Sequence, residues 1–320
     1  MSEATKIWLI TAASLVLTGC IIVGIVMTML GWDFTKLSTD RYETNKHETH
    51  ENFSAISINT DTADIMFIPS ENEKCSVICY ESQNAKHAIE VKDGTLNISV
   101  VNTKKWYEYI GINFGHSKIT VCLPEKEYSS LIIKESTGDI EIPNNFKFES
   151  IDISLSTGDV KCYASAMEAI KIEATTGNIG IDSISAGSID LSVSTGNVAV
   201  AGITCEGDIE IGVSTGKTHL ADIVCQSVIS SGSTGDISLK NVIATEKLSV
   251  KRSTGDVKLE ASDAAEIFIK TDTGDINGSL LTEKVFIVKT DTGSIDVPNS
   301  ITGGRCEINT DTGDIKITVK

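Results

Sequence analysis

A Thr-Gly pair returns along this chain at nearly constant spacing, its glycine falling at 138, 158, 177, 196, 216, 235, 255, 274, 293 and 313. The intervals are 20, 19, 19, 20, 19, 20, 19, 19 and 20 residues, and most copies read STGD, STGN or TDTGD. Such a period marks a repeat architecture, in which one small unit recurs because it cannot bury its apolar face alone. Aligned on the glycine, apolar residues stand seven and five positions before it, as in Ile151 and Ile153, Ile170 and Ile172, Ile189 and Leu191, Ile209 and Ile211, Ile267 and Ile269. They recur two and four positions after it, as in Ile179 and Ile181, Val198 and Val200, Ile237 and Leu239, Val257 and Leu259, Ile295 and Val297. A further one often follows at seven: Ile184, Ile203, Ile223, Val242 and Leu281.

Alternation with period two puts these side chains on one face of a strand. Each unit is therefore a short strand, a glycine turn, a second short strand and a corner. Stacked in register about 4.8 Å apart, the units close a narrow aliphatic core. The expected fold is all-β: a single-stranded β-solenoid, taken as a right-handed β-helix, of 19- to 20-residue coils over 131–320. Aromatic residues make up only 5% of the chain, as a narrow core requires. The glycine supplies a positive φ at the turn, and neighbouring Ser or Asp side chains can bond the turn's amides. Thr precedes the glycine in all ten copies, so stacking predicts a Thr ladder.

The pattern extends upstream as ISINTDTADIMF at 56–67, with Ala63 where the glycine would stand. Residues 70–130 break the period but keep strand signals: CSVICY, an Asp93-Gly94 hairpin leading into LNISV, and KITVCLP. Residues 53–130 are expected to form an irregular β cap that includes this degenerate first coil. Within it, KKWYEYIGINF carries Trp106, Tyr107, Tyr109 and Phe114. These rings are read as a plug for the open end of the core, with an exposed binding patch as the functional alternative.

Residues 7–31 run without a charge between Lys6 and Asp33, with Trp8 and Trp32 near the two ends. At 1.5 Å per residue such a helix crosses a hydrocarbon core of roughly 30 Å. A cleaved signal would have a shorter apolar core. Leu17-Thr18-Gly19-Cys20 resembles a lipobox, yet the apolar IIVGIVMTML follows where a polar tether belongs. The expectation is a transmembrane anchor over 7–31, a cytoplasmic tail over 1–6, a polar linker over 32–52 and an extracellular body. Lys36, Arg41 and Lys46 oppose this orientation by the positive-inside count, but long domains translocate largely regardless of charge. His47 and His50 lack Cys partners and are read as linker residues.

GWDFTKLST after the helix, SINTDTADI at the start of the body and ESTGDIEIPNNFKFESIDISLSTGDV carry a resemblance. The chain resembles the "putative-adhesin", LiaG-like repeat β-strand family of Gram-positive bacteria, whose members pair an amino-terminal membrane helix with STGD or TDTGD coils. The resemblance implies a function class, surface adhesion, by analogy of fold, and no catalytic residues to carry over. It also implies an alternative, since family members are often encoded beside envelope-stress or regulatory systems: a membrane-anchored signalling or stress-response partner.

A formal charge of −17 argues against nucleic acid as a partner. No phosphate loop, nucleophile elbow or metal-ligand histidine cluster occurs, and His87, His116 and His219 stand isolated in sequence, so the reading is not an enzyme. Asp139, Asp159, Asp236, Asp256, Asp275 and Asp314 follow the repeat glycine, and Asp272, Asp291 and Asp311 precede it. Where DTGD or DTGS stacks, Asp272, Asp275, Asp291, Asp311 and Asp314 are candidate calcium ligands, against the reading that they only stabilise turns. Cys205 and Cys225 stack nine residues after their glycines and are read as small core fillers like Ala186 and Ala244, with a disulfide as the alternative. The chain ends on DIKITVK, whose strand is expected to be the uncovered edge and the site of self-association or of strand addition by a partner. The remaining expected partner is a protein or other cell-surface ligand that the sequence does not identify.

Overall fold

The computed structural model describes residues 2–33, 40–71, 74–103 and 115–320. It begins with α1 (Glu3–Met29), opened by Ser2, whose Oγ accepts the Thr5 N–H. The helix is long and apolar enough to cross a membrane, and none of its most apolar stretch is buried in the protein's own fold. Its hydroxyls do not remain bare. Thr11 donates to Ile7 O, Ser14 to Thr11 O, Thr18 to Ser14 O and Thr28 to Gly24 O, at 2.7–2.9 Å. A polar group without water must find such an internal partner.

The first nine strands after it are β1 (Tyr42–Thr49), β2 (Ala55–Thr62), β3 (Asp64–Pro69), β4 (Cys75–Ser82), β5 (Ala85–Lys92), β6 (Thr95–Asn102), β7 (Lys118–Leu123), β8 (Glu127–Thr137) and β9 (Ile140–Ile142). Tyr42–Thr49, within the stretch read as a linker, pair antiparallel with β4. Asp93 and Gly94 both adopt positive φ and turn β5 into β6, as the Asp-Gly dipeptide predicts.

From β8 onward the coils stack parallel and in register. Thr137, Thr157, Thr176, Thr195, Thr215, Thr234, Thr254 and Thr273 form one ladder, each opposite the next. The inward positions read from the alternation are buried, including Ile153, Ile172, Leu191, Ile211, Val250 and Ile269. Aromatic rings enter the core near its start. There Phe53, Tyr128 and Phe148 stack along one corner with ring centroids 6.0 and 5.8 Å apart. Further along, that corner holds Ala166, Ala186 and Cys205, and the core narrows accordingly.

The order of coils departs from the order of the sequence at both ends. At the start, β2 lies between β6 and β8, and β3 between β7 and β9, so the first coil of the body is the second layer of the stack. At the far end, strand Gly304–Thr312 lies between the stretch 267–273 on its inner side and strand Lys284–Thr292 on its outer side. Thr312 thus pairs with both Thr273 and Thr292. The last coil in sequence is therefore the second layer from the far end, and the coil of Gly293 is outermost.

This order corrects one expectation. Strand Ile315–Val319 is not the outermost strand: it pairs along its length with Ile276–Leu280, and its first two residues are covered by the outer coil through Ile295↔Ile315 and Asp296↔Lys316. The open coil is 284–296, where Ile287 and Ile295 are each 48% exposed. Leu281, grouped by spacing with the buried corner residues, is also exposed where the chain steps outward. The return path runs through Gly303 and Gly304. A Cβ on either would collide with a neighbouring backbone carbonyl, of Glu283 and Ala265 respectively.

Candidate functional site

The repeated corner is built from three ladders. At its apex each glycine has φ between +128° and +153°, and an added Cβ would overlap a backbone carbonyl of the adjacent coil, as Gly177 would with Gly158. The glycine N–H donates to the neighbouring Thr carbonyl, for example Gly158 to Thr176 O at 3.0 Å. The residue after the glycine then uses its side chain. Asp139 Oδ1 accepts the Asp159 N–H, Asp159 Oδ1 the Asn178 N–H, Asn178 Oδ1 the Asn197 N–H and Asn197 Oδ1 the Lys217 N–H, at 2.8–3.0 Å. The ladder resumes through Asp236, Asp256, Asp275, Asp314 and Ser294. What the position requires is an acceptor oxygen, and Asn serves as well as Asp.

This geometry places the candidate calcium ligands. Asp275 Oδ1 accepts the Asp314 N–H, and Asp314 Oδ1 accepts both the N–H and Oγ–H of Ser294. Those Ser294 bonds hold the Asp314 carboxyl below the usual range. Asp291 pairs with Lys289 at 2.8 Å, and Asp272 lies 4.0 Å from Lys270. Among the described residues, Asp272, Asp275, Asp291, Asp311 and Asp314 do not supply three ligand atoms close enough to share an ion. Trp106, Tyr107, Tyr109 and Phe114 lie outside the described residues. Cys205 and Cys225 are free and buried.

Beside the corner, the solvent face of the first coils forms a groove of about 560 Å³ lined by Asn59, Lys134, Ser154, Glu173, Ser192 and Ser194. Under it, Glu135 points inward. Its Oε1 accepts the Ala63 N–H at 3.0 Å and its Oε2 is buried without a partner. Burial pushes this carboxyl up to about 8, the Ala63 hydrogen bond opposing.

The cap holds a second polar cluster. Strand alternation puts Cys79 and Glu81 on one face of β4, and the β4–β5 turn brings His87 across to them. Glu81 Oε2 accepts from His87 Nδ1 and from the His87 backbone N–H, both at 2.7 Å, while Oε1 accepts from Asn45 Nδ2 at 2.8 Å. His87 Nε2 lies 2.9 Å from Thr60 Oγ1. All four of Thr60, Cys79, Glu81 and His87 are buried. Thr60 and His87 also line a cavity of about 220 Å³ with Tyr42, Asn102 and Ser117. His87, isolated in sequence, is therefore the centre of a network, and His116 is bonded too, to Asp64 Oδ1 at 2.7 Å.

A family model described as Toastrack DUF4097 matches residues 53–214 and 206–320. Among solved structures, a "putative adhesin" from Bacteroides fragilis is 18% identical, with 89% of this chain and 99% of that chain covered and a TM-score of 0.43. A "putative lipid binding protein" from Parabacteroides distasonis is 17% identical, covering 84% and 96%, with a TM-score of 0.47. A "putative adhesin" from the same species is 11% identical, covering 85% and 98%, with a TM-score of 0.47. No curated protein matches the chain.

Proposed function

We infer function from one premise: the chain belongs to the Toastrack DUF4097 family. The reading is an adhesin-like β-solenoid held to a membrane by α1, with its body outside the cell and a binding or structural role rather than a catalytic one. One observation carries it. The 27-residue α1 is apolar, and its most apolar stretch is left uncovered by the body, so its surface calls for a lipid environment. The rigid stack then serves as a spacer that presents its polar coil faces away from the bilayer.

The test is a photo-crosslinking residue placed at Ser194, in the groove, on intact cells, together with a deletion of the chain. Capture of a surface component and loss of attachment on deletion support adhesion. Normal attachment with an altered envelope-stress response would contradict it in favour of the signalling role.

A further inference from the structure

We propose that Cys79, Glu81 and His87 form a binding site for one divalent transition metal of the zinc class. The three side chains each offer a ligand atom, and these atoms lie within 4.8 Å of one another. A tetrahedral site with metal–ligand bonds of about 2.0–2.3 Å separates its ligand atoms by roughly 3.3–3.8 Å. Of the three separations, the 2.7 Å His87–Glu81 contact is shorter than this spacing, so those two side chains must part slightly to admit an ion. A thiolate, an imidazole and a carboxylate are the mixed S, N and O donor set that suits zinc.

Charge supports the same reading. A thiolate and a carboxylate neutralise a divalent cation, so the loaded site buries no net charge. Cys79 is a free, buried thiol, which gives up its proton to bind metal as the thiolate. Loading expels that one proton. The imidazole binds metal in its neutral form. Its Nδ1 faces a carboxylate oxygen, which can only accept, so the ring proton starts on Nδ1. When Nδ1 binds metal, the ring proton moves to Nε2, and Thr60 Oγ1 changes from donor to acceptor.

The supporting shell is already in place. A ligating histidine commonly donates its other ring N–H to a fixed acceptor, the position Thr60 occupies, and ligating carboxylates are themselves hydrogen-bonded, as Asn45 does for Glu81.

The experiment titrates the full chain, reduced and in detergent, with cobalt(II) as a spectroscopic substitute for zinc(II). The expected result is thiolate-to-cobalt charge-transfer absorption with tetrahedral visible bands, saturating at one equivalent and erased by zinc. Cys79→Ser should abolish the thiolate band, whereas Cys306→Ser, at a distant buried thiol, should keep it. Thr60→Val should weaken binding about tenfold or more while leaving the band's position. Absence of the band in the parent chain would overturn the proposal without reference to any variant. Its persistence in Cys79→Ser would do the same, and would leave Glu81, His87 and Thr60 as a structural network only.

Discussion

Lys284 Nζ lies 2.6 Å from Asp263 Oδ1, with both side chains buried near the far end of the stack. The ammonium also donates to Ala264 O and Thr282 Oγ1, each at 2.7 Å, so all three of its protons are placed. Removing one partner from a buried pair leaves an uncompensated charge, at a cost of about 3 kcal/mol or more. Lys284→Ala should lower stability by that order in urea unfolding, and Lys284→Met combined with Asp263→Leu should lose far less.

The side-chain ladder at the corner makes a chemical distinction. Asp159→Asn keeps the acceptor that Asn178 uses and should be close to neutral, as Asn178 itself is one step on. Asp159→Ala removes it and should cost about 1 kcal/mol. Urea unfolding of the two variants separates an acceptor ladder from a charge ladder.

Glu135 makes stability depend on pH in the direction opposite to a paired carboxylate. Its folded value of about 8 lies above that of the unfolded chain, so the folded state holds an extra proton between roughly pH 4.5 and 8. The contribution is present in full below that window and is lost as pH rises through it, by up to about 1.4 kcal/mol per pH unit. Glu135→Gln keeps an acceptor for the Ala63 N–H and removes the titration. The variant's advantage over the parent should grow from pH 5 to 8 and then level off in urea unfolding followed across pH.

Coil order is testable by paired cysteines. Thr273 and Thr312 are register partners, as are Thr312 and Thr292. Strands one layer apart are spaced about 4.8 Å, within disulfide reach, whereas two layers exceed it. Thr273→Cys with Thr312→Cys, or Thr312→Cys with Thr292→Cys, should crosslink under mild oxidation, and Thr273→Cys with Thr292→Cys should not. Crosslinking of the last pair would restore the simple sequential order.

The coil itself is legible in the sequence because its corner is local chemistry: a glycine at positive φ pressed against the neighbouring carbonyl, flanked by a strict inward alternation. Coil order is not, because Ile269 can stack on Ile308 or Val288 with the same pattern, and choosing between them takes non-local pairing. The sequence signal is VPNSITGG at 297–304, where Pro298 and the Gly303-Gly304 pair break the corner used elsewhere. The cap cluster escapes for a similar reason. Cys79 pairs by spacing with Cys75 rather than with His87, and only antiparallel pairing and the β4–β5 turn bring Cys79, Glu81 and His87 together. Glu135 is hidden by its own repeat: it occupies the inward position held by Leu155 and Val193 in later coils, yet reads as one more charge on a polar strand.

The most direct test of the account is topology. Protease added to intact, wall-stripped cells should digest residues 53–320 and leave a membrane-bound fragment containing α1. Complete protection of the body until the cells are lysed would contradict the account, placing the solenoid in the cytosol and removing the surface role.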